Sequence, residues 1–167
     1  AQGSRLTGGN VEAYDGIASL YDQEHDEFAE DIDWYLHLAQ VAGSRVLELG
    51  CGSGRLLAPL ASAGNQVTGL DSSPAMLDRA ERRLRGAIAR DKAHLLRGSM
   101  DELTRHVTGP FDLVILSLNG LLHVDDADSQ RRVVQRVAQI LRPGGLLAVD
   151  VLHAVPDALS MFDGRVV

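Results

Sequence analysis

The stretch from Val46 to Gly54, Val-Leu-Glu-Leu-Gly-Cys-Gly-Ser-Gly, constrains the fold more than any other part of the chain. A largely apolar strand runs directly into a loop with glycine at alternate positions, and a helical pattern begins at once. With no side chains at Gly50, Gly52 and Gly54, backbone amides can lie against a ligand, and the helix start adds partial positive charge. At the carboxyl end of a strand in an open α/β sheet, that is where ligands bind. Three close glycines can also mark only a tight turn, so the spacing by itself decides little.

A second feature adds to it. The next apolar run, Gln66 to Leu70, ends in Gly69-Leu70-Asp71, and Asp71 follows Gly54 by 17 positions. A carboxylate there can accept from both hydroxyls of a ribose. It could also cap the helix that follows, a task for which Ser73 is better placed. The ligand is not a typical dinucleotide, because the G-x-G-x-x-G spacing puts its third glycine at position 55, and Arg55 stands there. Its side chain should spoil the helix–strand packing that a pyrophosphate site requires. S-adenosylmethionine meets the remaining conditions, having a ribose, an adenine and a zwitterionic tail but no pyrophosphate.

The periodicity along the chain agrees with such a sheet. Val11 to Tyr21 and Asp26 to Val41 read as helices. Strands are expected at Arg45–Leu49, 66–70, Ala93–Arg97, Phe111–Leu116 and Leu146–Val151. Helices are expected from about Gly54 to Ala63, from Ser73 to about Arg85, and from about Asp126 to Leu141, the last closed by Pro143-Gly144-Gly145. Pro59 falls inside the first of these three, where it should delete a hydrogen bond and bend the helix. Alternating strands and helices imply a doubly wound, mostly parallel α/β sheet, Rossmann-like and covered on both faces. The chain divides into a polar tail at 1–10, a helical lid segment at 11–42, the α/β core at 43–151 and a C-terminal segment at 152–167.

Composition narrows the partners. The chain of 167 residues fits one domain, and its 45% apolar and 23% charged residues are those of a globular protein. No run approaches the ~18 apolar residues of a membrane span, and the first ten residues lack a signal-type apolar stretch, so a cytoplasmic location is expected. Cys51 is the single cysteine, which excludes an internal disulfide. A net charge of −7 opposes non-specific nucleic-acid binding. The arginines at 79, 82, 83, 85 and 90 read as the solvated face of one helix.

With those residues in view, Val46 to Leu56 resembles the first motif of class I S-adenosylmethionine-dependent methyltransferases. Asp71, Ser72 and Met76 resemble the second, Gly98-Ser99-Met100-Asp101 the third, and Phe111 to Leu118 the fourth. Leu141-Arg142-Pro143-Gly144-Gly145 resembles the turn before the fifth strand. In the N-terminal segment, Tyr14-Asp15-x-x-Ala18-x-x-Tyr21-Asp22 is similar to the tyrosine-bearing helix of small-molecule members such as glycine and deoxysugar N-methyltransferases.

The resemblance implies S-adenosyl-L-methionine as cofactor, S-adenosyl-L-homocysteine as product, and N- or O-methylation of a small-molecule acceptor. Glu48 and the backbone of Gly50, Cys51 and Gly52, with Gly54 closing the loop, would hold the methionine amine and carboxylate. Asp71 would take the ribose, Ser72, Met76 and Met100 would flank the adenine, and Asp101 beside Ser99 would accept from its amino group. Leu116, Ser117 and Leu118 would line the floor near the sulfonium. Tyr14 and Tyr21 would close over the site, or merely anchor their helix, and the two methionines could equally be core. His123, in Asn119-Gly120-Leu121-Leu122-His123, is the candidate base for a hydroxyl acceptor, against a plain surface role. No metal site is expected. The same fold could instead serve a cyclase or a binding scaffold.

Such families continue past the fifth strand with further strands. Only 16 residues follow Val151, and Pro156 and Gly164 interrupt them. The expectation is therefore a truncated chain, or a homodimer whose partner copy covers the open sheet edge.

Overall fold

A computed structural model describes residues 31–151. Five strands, β1 (Arg45–Leu49), β2 (Gln66–Asp71), β3 (Ala93–Arg97), β4 (Phe111–Leu116) and β5 (Leu141–Val149), form a parallel sheet in the order β3-β2-β1-β4-β5. Helices α1 (Ile32–Ala42), α2 (Leu57–Ser62), α3 (Pro74–Ile88), α4 (Leu103–His106) and α5 (Ala127–Ile140) accompany them. The doubly wound sheet expected from the sequence is the one observed. The chain winds outward from β1 through β2 to β3, then crosses back to β4 and β5. The reversal lies between β1 and β4, and their carboxyl ends open the crevice there.

Period-two alternation divides the interior into two cores. On one face Val46, Val67, Leu113 and Ile115 pack against Tyr35 and Ala39 of α1, Leu57 and Leu60 of α2, and Ala80 and Leu84 of α3. On the other, Leu47, Leu49, Val114 and Leu116 pack against Leu103 of α4 and Val133 and Val137 of α5. The α3 start is as the sequence implies: Ser73 Oγ accepts from the Met76 N–H at 3.2 Å, with Pro74 at the first helical position.

Several boundaries differ from expectation, α3 for instance running on to Ile88 and the last strand ending at Val149. The first crossover helix begins at Leu57 rather than near Gly54, so Pro59 sits in its first turn, where a missing N–H breaks nothing. The last strand begins at Leu141 and takes Pro143-Gly144-Gly145 into itself. Leu141 pairs with Phe111, the register shifts, and Leu146 pairs with Leu113, with Gly144 at φ +77° absorbing the extra residues. The tail at 1–10, the expected helix at 11–21, residues 26–30 of the next one and the segment at 152–167 lie outside the described residues. So does whatever would cover the outer edge of β5. Among the described residues no helix is long and apolar enough to cross a membrane.

At the amino ends of the strands, Asp112 of β4 accepts from the Arg45 N–H at 2.9 Å and from Arg142 Nε of β5. Arg142 also donates to the Ala42 carbonyl at the end of α1. The Arg45 amide, above all, and the Arg142 guanidinium hold the Asp112 carboxyl below its ordinary range.

At the other end, β2 packs so closely against the glycine loop and α2 that any side chain at position 69 would have to displace its neighbours. A Cβ there would lie 2.6 Å from Leu57 Cδ1 and 2.7 Å from Cys51 Sγ. Gly69→Ala is expected to destabilise the protein by about 1–3 kcal/mol through overpacking, read as a lower urea midpoint with unchanged slope.

Candidate functional site

The loop after β1 has the shape its glycines allow. Gly50, Gly52 and Gly54 have φ of +74°, +51° and +78°, values that a side chain would oppose. The end of β2 holds the loop in place. The Gly50 and Cys51 N–H groups both donate to the Leu70 carbonyl, at 2.8 and 3.2 Å. Asp71 then accepts from the Gly52 N–H at 2.8 Å through one oxygen and from the Ser73 N–H at 2.9 Å through the other. Asp71 is thus an organiser of the loop, while Ser73 does the capping. Beside Gly52 the space is open, since a Cβ built there meets nothing within 4 Å. One built at Gly50 meets only the Met100 methyl, at 3.6 Å, so Met100 borders the same space.

Arg55, which the spacing argument made an obstacle to packing, is nothing of the kind. Gly54 makes the close approach, to Ala80 and Leu84 of α3. The Arg55 guanidinium turns away to form a bidentate pair with Asp31, at 2.8 and 2.6 Å. Only 9% and 12% of the two side chains is exposed, so the pair is largely shielded from water.

Glu48 lies on β1 two residues beyond Val46, and so faces the core that contains Tyr35. It is 2% exposed. Its Oε1 accepts from Ser117 Oγ at 2.8 Å, a bond that bridges β1 and the end of β4 at the topological reversal. Its Oε2 and the Tyr35 hydroxyl are the two buried side-chain polar atoms without a hydrogen-bond partner among the described residues. Burial pushes the Glu48 carboxyl up to about 8, against the pull of Ser117 and Arg55. Burial likewise raises the Tyr35 phenol, with Asp150, Asp31 and Glu48 adding to it, and raises the Cys51 thiol. A polar atom stranded in the core costs stability unless something binds it.

The turn after β4 is strained. Leu118 and Asn119 are both left-handed, at φ +47° and +64°. Asp150 secures them: its carbonyl accepts from the Asn119 N–H at 3.1 Å and its carboxylate from the Leu118 N–H at 3.4 Å.

The remaining sequence candidates are distributed unevenly. Ser117 meets Glu48, and Leu118 is half-buried beside it in sequence. Leu116 is wholly enclosed in the second core, so its side chain packs rather than lining a surface. Met76 is also buried. Ser72 is half-buried, and Ser99 Oγ accepts from the Asp101 N–H at 3.2 Å, leaving the Asp101 side chain exposed. His123 is exposed at the end of a short 3-10 turn, Gly120–His123. Tyr14 and Tyr21 lie outside the described residues. No cluster of metal-binding side chains occurs among the described residues. Sequence reasoning missed Asp31, Tyr35 and Asp150, which carry no motif.

Comparison with known proteins gives this geometry a context. A family described as a methyltransferase domain matches residues 46–145. A ubiquinone biosynthesis O-methyltransferase from Xanthomonas oryzae pv. oryzae is 32% identical over 130 residues, covering 78% of this chain and 52% of that protein. The sugar N-methyltransferase KedS8 from Streptoalloteichus superposes with a TM-score of 0.66 at 26% identity, over 90% of this chain and 58% of its own. CalS10, an amino pentose methyltransferase from Micromonospora echinaspora solved with S-adenosylmethionine bound, gives 0.64 at 26% identity, over 93% and 61%. The chain spans about half the length of the curated relatives it matches. With the match running from the second residue of β1 through the glycine loop into β5, the chain belongs to the methyltransferase-domain family.

Proposed function

We propose that the protein transfers a methyl group from S-adenosylmethionine to the nitrogen or oxygen of a small-molecule acceptor, releasing S-adenosylhomocysteine. The observation that carries this reading is the buried, unpartnered Oε2 of Glu48 beside the positive-φ loop. An ammonium is the natural answer to such an oxygen, since it brings both charge and donors. The methionine part of the cofactor carries one. Bound there, S-adenosylmethionine supplies a methyl group activated by positive sulfur.

The chain's own residues have three tasks. Glu48, ionised and steadied by Ser117, takes the ammonium, while the open space beside Gly52 leaves room for the neighbouring carboxylate, the Gly50, Cys51 and Gly52 amides being already bonded to Leu70 and Asp71. Asp71, already fixed by the Gly52 and Ser73 amides, offers its oxygens to the ribose hydroxyls, as carboxylates accept more than one bond each. Met100 and Ser99 border the adenine side, with the exposed Asp101 carboxylate available to its amino group. Displacement at an activated carbon disperses charge, so alignment and exclusion of water supply much of the rate. Tyr14 and Tyr21 are proposed to provide that exclusion. His123 serves as base where the acceptor is a hydroxyl, and a neutral amine needs none. The small-molecule acceptor rests on the O- and N-methyltransferases to which the chain is similar.

The direct test is S-adenosylhomocysteine release with a panel of amine and hydroxyl acceptors; no release with any of them counts against the activity. Two substitutions test the site. Asp71→Ala is expected to weaken S-adenosylhomocysteine binding, since each lost bond to a charged acceptor contributes about 1.5–3 kcal/mol. Unchanged affinity would remove Asp71 from the ribose. Glu48→Gln is expected to act with opposite signs on binding and stability. A carboxyl raised to about 8 in the folded, ligand-free protein holds its proton where the unfolded chain has lost it. Stability therefore falls as pH rises from about 4.3 towards 8. Glu48→Gln should abolish that decline, making the ligand-free protein more stable at pH 8 by a few kcal/mol, while weakening cofactor binding. Thermal melts across pH and calorimetric titration check both halves.

A further inference from the structure

The contacts described so far hold the glycine loop and the end of β2, but not the turn that leaves β3. That turn opens on Gly98, which does not have the left-handed backbone that would call for a glycine. A close approach calls for it instead. A Cβ on Gly98 would lie 2.5 Å from Cδ2 of the His106 ring and 2.7 Å from both Cγ and Nε2, so the ring sits directly on bare backbone. The His106 side chain is only 30% exposed, with Glu102 Oε2 at 3.9 Å from its Nε2. Between Gly98 and His106 runs the turn that carries Ser99, Met100 and Asp101. At its start the Gly98 N–H donates to the Asp71 carbonyl at 2.9 Å. In its middle Ser99 Oγ accepts from the Asp101 N–H, and the Ser99 carbonyl from the Glu102 N–H at 3.0 Å. Its far end is buried through Leu103 and Val107 in the second core. His106, the last residue of α4, brings that buried end back onto the first residue of the turn.

We propose that His106 is a positioning residue for the adenine end of the cofactor, acting through Asp101. Its ring, seated on Gly98, fixes the turn so that the Asp101 carboxylate meets the adenine amino group. Asp101 is exposed and stands on a single 3-10 turn, Met100–Glu102. The hydrogen bonds of so short a turn are poorly aligned, so the direction of its side chains depends on what holds its two ends. A flat ring against a glycine peptide is a rigid stop that uses no hydrogen bond. The task is steric. Another planar ring of similar size therefore performs it, and a methyl group does not.

This proposal rests on the reading of the site as one for S-adenosylmethionine, and the test separates the two. Calorimetric titration compares S-adenosylhomocysteine with two analogues. In the inosine analogue an oxygen replaces the adenine amino group, and the 2′-deoxy analogue lacks one ribose hydroxyl. The wild type should bind the inosine analogue more weakly by about tenfold or more, the loss of a bond to a charged acceptor. His106→Ala should reduce that preference to about threefold or less, while leaving the penalty for the 2′-deoxy analogue, which reports on Asp71, unchanged. His106→Phe should restore the preference. A purely structural role would lower the melting temperature of His106→Ala and leave its preference for the amino group intact, and that result overturns the proposal. Equal loss of both discriminations overturns it too, since the whole site has then loosened. If His106→Ala does not fold, Gly98→Ala, whose added methyl displaces the ring, is read by the same criteria. A wild type that binds S-adenosylhomocysteine without preferring it to the inosine analogue removes Asp101 from the amino group, and the proposal with it. Failure of the wild type to bind S-adenosylhomocysteine at all overturns the functional reading itself.

Discussion

A carboxylate at a core-facing position of a central strand makes demands on everything around it. Removing such a charge from water costs several kcal/mol, and the cost falls only if the group stays neutral or finds partners. Glu48 does some of each. Ser117 satisfies one oxygen, Arg55 supplies an opposing charge, and the second oxygen has no hydrogen-bond partner among the described residues. These answers come from different parts of the chain. Ser117 reaches Glu48 only because β4 lies beside β1. The crossover from β3 to β4 is thus a condition for the site as well as for the sheet.

Asp71 shows the same economy in another form. A carboxylate at the end of β2 was legible from its spacing after the glycines, and so was the rivalry between ribose binding and capping. The structure divides the labour: Ser73 caps α3, and Asp71 ties the loop to β2 through the Gly52 amide. Pre-ordering a loop in this way reduces the entropy that a ligand would otherwise have to remove.

What the sequence disclosed was local. The three glycines and the cap at Ser73 each express a rule acting over a few residues, and each is where expected. What it hid was set by distance. Nothing near Arg55 says that Asp31, 24 positions earlier, will meet it, and a rule about packing glycines gave the wrong role to its side chain. The start of β5 was hidden for a related reason. Pro143-Gly144-Gly145 reads as a turn, but pairing of Leu141 with Phe111 outweighs local preference and draws the turn into the strand as an irregularity. Leu116 illustrates a finer limit. Alternation can say which face a residue takes, but the packing of α5 against that face decides whether the residue ever touches a ligand.

The clamp around Asp112 lies at the amino ends of the strands, away from every group discussed as chemistry. There β1, β4, β5 and the end of α1 are joined by Arg45, Arg142 and the Ala42 carbonyl. Among the described residues the molecule is therefore fastened at one pole and carries the glycine loop at the other. Loops at that second pole can be lengthened, exchanged or reshaped without disturbing the fastening that keeps the strands in register. A scaffold built this way keeps the fastening of its strands apart from the loops at its far end.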